Sequence, residues 1–223
     1  MKVTNVPMDE LNVEDEQVHQ LIELSAQAQS CTACHLSQIR TKVVFGEGNP
    51  KAPLVFVGEG PGQQEDATGR PFVGRAGALL DECLLECRLT RKYVYICNVV
   101  KCRACEIENG RARNRAPRPD EIEACFNWLD QQLRLIGPLV IVCLGAPSAN
   151  TLIHKNFRML QERGTWFTSS PFARYIMATL HPAYILRQDA EGFASGRAQL
   201  IGDIESARKK VAAARKEAPP TLF

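Results

Sequence analysis

Two sets of residues in this 223-residue chain have the types and spacing to do chemistry. One is Cys31-Thr32-Ala33-Cys34, a C-x2-C that lets two thiolates meet one metal centre. Such a centre needs two more ligands. Cys102, directly after an apolar strand-like run, and Cys125, within a helical pattern, are the best candidates, with Cys105 as an alternative to Cys102. Four thiolates suit zinc and an iron-sulfur cluster alike, and spacing alone puts zinc first. Cys83, Cys87 and Cys143 sit in apolar patterns and read as buried, unligated thiols, while Cys97 packs at a strand end. The other set lies in the loop Gly58-Glu59-Gly60-Pro61-Gly62 through Gly69-Arg70-Pro71-Phe72-Val73-Gly74. Its small residues let backbone N–H groups approach a polar ligand closely. The glycine spacing fits neither a dinucleotide fingerprint nor a P-loop, and no Gly-Lys-Ser/Thr follows. The ligand is therefore something other than a nucleoside triphosphate.

These residues need a frame. Apolar runs at Val55 to Val57, Val94 to Val100, Leu139 to Leu144 and Tyr175 to Leu180 read as buried strands. Helical patterns stand at Glu16 to Gln29, Ala76 to Cys87, Asp120 to Leu135, Ala146 to Ile153 and Leu200 to Arg215. Strands alternating with helices imply a parallel sheet covered on both faces. The glycine-rich loop then sits at a strand's carboxyl end, where open α/β sheets bind ligands.

At 45% apolar composition the chain can bury one good core and is short for two. The expected organisation is a flexible lead over 1–14, one domain over 15–215 and a flexible tail over 216–223. Nothing in the sequence resembles a membrane span or a secretory signal, so a cytoplasmic protein, monomeric, is expected. The formal charge of +2 neither requires nor excludes nucleic acid. Its distribution is more telling: Lys101, Arg103, Arg111, Arg113, Arg115 and Arg118 crowd one segment, and a second basic group from Arg208 to Lys216 reads as solubility.

Four features together resemble one family: the C-x2-C, the loop GEGPGQQEDATGRPFVGRAG, Asn98-Val99-Val100-Lys101-Cys102-Arg103, and Leu180-His181-Pro182-Ala183-Tyr184. They are similar to the type 4, iron-sulfur uracil-DNA glycosylases, over about Cys31 to Arg187. The resemblance implies a three-layer α/β/α sandwich with a central, mainly parallel four-stranded sheet. It also implies a 4Fe-4S cluster on Cys31, Cys34, Cys102 and Cys125, which reverses the preference for zinc. The interval from Cys102 to Cys125 is longer than is usual in the family, through an insertion around Cys105 to Gly110. A related branch that bonds covalently to uracil-DNA carries a histidine in its basic loop, and Arg111 to Pro117 has none. The implied activity is therefore monofunctional: hydrolysis of the N-glycosidic bond of a flipped-out deoxyuridine, in single- or double-stranded DNA, as a step of base excision repair.

As that bond breaks, uracil gains negative charge and deoxyribose positive charge, so each side needs a stabilising group. On the resemblance, His181 donates to uracil O2, and Asn98 pairs with N3–H and O4. Phe72 stacks on the base, Gly58 and Gly60 offer backbone N–H groups, and Glu59 positions water and steadies the cation. Glu65 walls off the thymine methyl. Arg113 and Arg115 are expected on DNA phosphates, and the apolar-apolar-basic Ile185, Leu186 and Arg187 in the gap left by the flipped base. The end Pro220-Thr221-Leu222-Phe223 resembles part of a replication-clamp-binding peptide.

Overall fold

A computed structural model describes residues 8–108 and 110–217. The expected tail from residue 218, with its clamp-like end, lies outside the described residues, as do residues 1–7. Four parallel strands form the heart of the fold: β2 (Leu54–Gly58), β3 (Tyr95–Asn98), β6 (Val140–Leu144) and β7 (Tyr175–Thr179), in the spatial order β3-β2-β6-β7. Every residue of β2, β3 and β6 is buried, which is why they read as continuous apolar runs. A fifth strand, β1 (Glu47–Gly48), adds antiparallel to the β3 edge. At two residues it is too short to leave a periodic signal.

Side chains alternate across this sheet and divide the core in two. Val55, Val57, Cys97, Ile141 and Cys143 face α1 (Met8–Gln29), α4 (Pro119–Ile136) and α5 (Ala146–Leu152). Leu54, Phe56, Ile96, Val140 and Val142 face α3 (Arg75–Glu86) and α8 (Ala190–Ala214). The three-layer α/β/α architecture follows from the two-residue period of the strands. No described helix is long and apolar enough to cross a membrane.

Three boundaries differ from expectation. The first helix begins at Met8, inside the stretch read as a lead, because a nucleated helix propagates without needing an apolar stripe. The last helix begins at Ala190 instead of Leu200, capped by the Asp189 carboxylate, which accepts from Gly192 N at 2.8 Å. Gly192 and Gly196 weaken the helical signal there, and Gly196 packs close to Ile185: a Cβ would stand 3.2 Å from its side chain. Finally, the segment read as an inserted basic loop is an antiparallel hairpin of β4 (Cys105–Glu108) and β5 (Arg111–Asn114). Short helices complete the chain: α2 (Gln63–Thr68), α6 (Met159–Glu162), α7 (Pro182–Ile185) and a 3-10 turn at His35–Gln38.

Candidate active site

Asn98 ends β3, Glu59 follows β2 and His181 follows β7, so the carboxyl ends of three strands open on one crevice, with Gly145 after β6 packed behind His181. A cavity of about 400 Å³ lies there, lined among others by Glu59, Gly60, Glu65, Phe72, Asn98 and His181. The hairpin closes one side through Asn114 and Arg115. Gly58 stands behind the wall and does not line it: a Cβ there would collide with Asn98 Oδ1 and the Phe72 ring. Glycine at 58 is what lets those two side chains converge.

Asn98 is 2% exposed, and its Oδ1 has no hydrogen-bond partner among the described residues. An orphaned buried acceptor costs roughly 1 to 3 kcal/mol, so a donor from a ligand is its natural complement. Its backbone carbonyl is held by Lys101 Nζ at 2.9 Å, which fixes where the side chain starts.

His181 is the N-cap of α7. Its Nδ1 accepts from Ala183 N at 3.0 Å, which leaves the ring proton on Nε2. Burial, with Arg187 nearby, depresses its pKa to about 4, so at neutral pH the ring is an uncharged donor. Because the folded value lies below the unfolded 6.5, the unfolded state binds more protons between them, and stability should fall as pH drops from about 6.5 to about 4. The full shift corresponds to roughly 3 kcal/mol. Urea unfolding of wild type and His181→Gln across that window should show a shallower pH slope in the variant.

Phe72 is buried, with its ring 5.7 Å from the His181 ring. Its φ of 52° is left-handed, a conformation that costs a bulky residue roughly 1 to 3 kcal/mol. Glu65 holds the following turn: Oε1 accepts from Val73 N and Gly74 N, both at 2.9 Å, and Oε2 accepts from Gly62 N at 3.1 Å. The carboxylate expected to guard against thymine is thus a rigid part of the wall. The Glu59 carboxyl is half-buried, and desolvation lifts its pKa above the ordinary carboxylate range.

A second, small cavity is lined by Cys31, Cys34, Cys102 and Cys125. Cys31 follows α1, Cys34 opens the 3-10 turn, Cys102 follows β3 and Cys125 lies on α4. N–H groups point at three sulfurs: Trp128 Nε1 to Cys31 at 3.2 Å, Arg40 Nη1 to Cys102 at 3.6 Å, and Lys101 N to Cys125 at 3.2 Å. Cys105, on the hairpin opposite Asn114, is not in this lining. Cys83, Cys87, Cys97 and Cys143 are buried within α3, β3 and β6 or at the end of α3.

The residues expected on DNA are not all at the surface. Arg115 grips the buried Glu121 with two hydrogen bonds of 2.6 and 2.8 Å, so its guanidinium is committed inside the protein. Arg113 is exposed and meets Glu108 at 2.9 Å, a surface pair of the kind worth about 0 to 1 kcal/mol. Ile185 is fully buried against α8 and cannot enter a duplex. Leu186 is partly buried and Arg187 exposed. The large side chain turned outward is Tyr184, 45% exposed, which the apolar run had hidden. In a four-residue helix neighbouring side chains point to different sides, so a residue-type pattern alone misassigns the face.

A strand-end pocket with an aromatic wall, an orphaned amide oxygen and a neutral imidazole, beside a small cavity lined by four cysteines, marks this as an α/β protein with its candidate site at the carboxyl edge of the sheet. The chain belongs to the uracil DNA glycosylase superfamily, whose family model matches residues 45–204, and within it to the type-4 branch. It is 43% identical to the type-4 uracil-DNA glycosylase of Thermotoga maritima, over 85% of this chain and 94% of that one. The type-4 enzyme of Archaeoglobus fulgidus is 38% identical over 91% and 97%, and that of Sulfurisphaera tokodaii 44% over 70% and 71%.

Proposed function

We propose that this chain removes uracil from DNA by hydrolysing its N-glycosidic bond, leaving an abasic site for base excision repair. The orphaned Asn98 Oδ1 carries the reading most directly. It accepts uracil N3–H while the amide donates to O4, whereas cytosine presents the opposite pattern at those atoms. The nucleotide must leave the stack to reach this depth, at a cost of a few kcal/mol. Phe72 then stacks on the base. The Nε2–H of His181 donates to O2 as negative charge gathers there, with no proton transfer required. Glu59, ionised, orients water toward C1′ and steadies the cationic sugar; Glu65 excludes the thymine methyl. Tyr184 fills the vacated stack, with Arg187 and Arg113 on flanking phosphates.

Cys31, Cys34, Cys102 and Cys125 fit a 4Fe-4S cluster: four thiols ring one cavity, and N–H donors face three of them. Among the described residues no three His, Cys, Asp or Glu side chains are grouped to hold a single metal ion. The cluster would supply a rigid cross-link between α1, α4 and the segment after β3, and the base chemistry stays with the pocket residues.

Incubation with uracil-containing single- and double-stranded oligonucleotides, followed by alkali, tests the activity: strand breaks at uracil are expected, and intact strands would end the proposal. Because Glu59 must be ionised and its pKa is raised, kcat/KM should fall as pH drops through that raised value. The acid limb therefore lies above the ordinary carboxylate range, and Glu59→Gln should lack it. Arg113→Ala should weaken binding to all sequences and reduce the slope of log K against log salt by about 1, as loss of one phosphate contact requires. An unchanged slope would remove Arg113 from the DNA interface.

A further inference from the structure

Arg91 lies in the turn between α3 and β3 and is not part of the pocket's lining. Its guanidinium nevertheless grips the peptide that carries the stacking ring. Nη1 donates to Pro71 O at 2.8 Å and Nη2 donates to Phe72 O. Asp81 on α3 orients it from behind, accepting from Nε at 2.9 Å and from Nη2 at 3.2 Å. Glu47 stands 3.8 Å from Nη1 and pairs chiefly with Arg70. On the other side of the ring, Glu65 holds the N–H groups of Val73 and Gly74. Two carbonyls are thus held by a cation and the next two amides by an anion, with the left-handed Phe72 between them. Gly77 lets the segment press this close, since a Cβ there would strike the Phe72 carbonyl.

We propose that Arg91, braced by Asp81, is a positioning residue for uracil binding: it acts through Phe72, holding the ring in an unfavourable backbone conformation ready to stack on the flipped base. The inference rests on the glycosylase reading for its consequence and on the geometry for its mechanism. Without the clamp Phe72 relaxes toward an ordinary backbone conformation, and the ring leaves its place beside His181.

A double-mutant cycle separates this role from general stabilisation. Arg91→Met should lower kcat/KM for uracil release about tenfold, mostly through KM, within the range a base-aromatic stack can contribute. On a Phe72→Ala background the same change should have an effect below about twofold. Equal losses in the two backgrounds would overturn the proposal. Asp81→Asn, which leaves every contact to the backbone carbonyls possible, should shift kcat/KM the same way by a smaller factor and serves if Arg91→Met folds poorly. A readout independent of catalysis is the NMR shift of the His181 ring protons, which feel the Phe72 ring current. Arg91→Met should move them in the direction that Phe72→Ala does, and unmoved signals would refute the clamp even in a protein that releases no uracil.

Discussion

Replacing His181 by alanine should slow uracil release by about a hundred- to a thousandfold in kcat, the loss typical of one preorganised donor to a developing anion, roughly 3 to 4 kcal/mol. KM should change little, because the interaction strengthens only as the bond breaks. The geometry supports a donor that is neutral: Nδ1 is occupied by the Ala183 N–H, and the ring's pKa of about 4 leaves it uncharged in the working range. No limb in the pH profile of wild-type kcat between about 5 and 8 should therefore belong to this imidazole. Single-turnover rates for His181→Ala and wild type across that range check both statements. A loss confined to KM, or a His181-dependent limb near neutrality, would contradict the assignment.

Asn98→Asp should be more severe at neutral pH, with kcat/KM down by at least about a thousandfold, the scale set when a buried hydrogen-bonding site meets a partner it cannot satisfy. An ionised carboxyl would offer uracil O4 a second acceptor where the amide offered a donor. The protonated acid, by contrast, carries one donor and one acceptor, the pattern of the amide it replaces. At a position 2% exposed, burial raises a carboxyl's pKa, so the variant should regain activity as pH falls toward and below that value. Wild type, limited by Glu59, should lose activity over the acid range. Because the variant keeps Glu59, its kcat/KM should pass through a maximum, rising as pH falls and the introduced carboxyl takes up a proton, then falling as Glu59 does the same, whereas wild type should only fall. Initial rates on one uracil oligonucleotide check this, and parallel profiles would place the amide elsewhere.

Much of the frame was legible because burial on both faces forces a simple code. The runs at Val55 to Val57 and Leu139 to Leu144 have no polar face to maintain, and they sit within a residue of their observed strands. The same logic brings Glu59, Asn98 and His181 together, since each follows or ends a strand of one parallel sheet. The hairpin over residues 105–114 was not legible: it is short, charged and mostly solvent-facing, so nothing repeats at period two. Arg115 and Ile185 lie deeper than their residue types suggest for a different reason. Residue type says that arginine suits phosphate and isoleucine suits a stacked gap, but the partner that captures each, Glu121 or Gly196, is known only from packing. Arg91 leaves no signal in Thr90-Arg91-Lys92 at all. Its importance lies in two backbone carbonyls twenty residues earlier, and carbonyls have no letter.

Lys101 belongs to both sites at once. It is 1% exposed; its backbone N–H meets the Cys125 sulfur, while its ammonium holds Asn98 O at 2.9 Å and Gln132 Oε1 at 2.5 Å. Gln132 in turn donates to Phe45 O and to the Tyr95 hydroxyl, anchoring the whole set on α4. For anyone redesigning this scaffold, the thiol cage and the Asn98 amide are therefore not separable modules. Swapping the cage for another cross-link redraws the datum from which the amide is measured, and a graft of the pocket that omits residue 101 and its α4 partner carries the reader without its ruler.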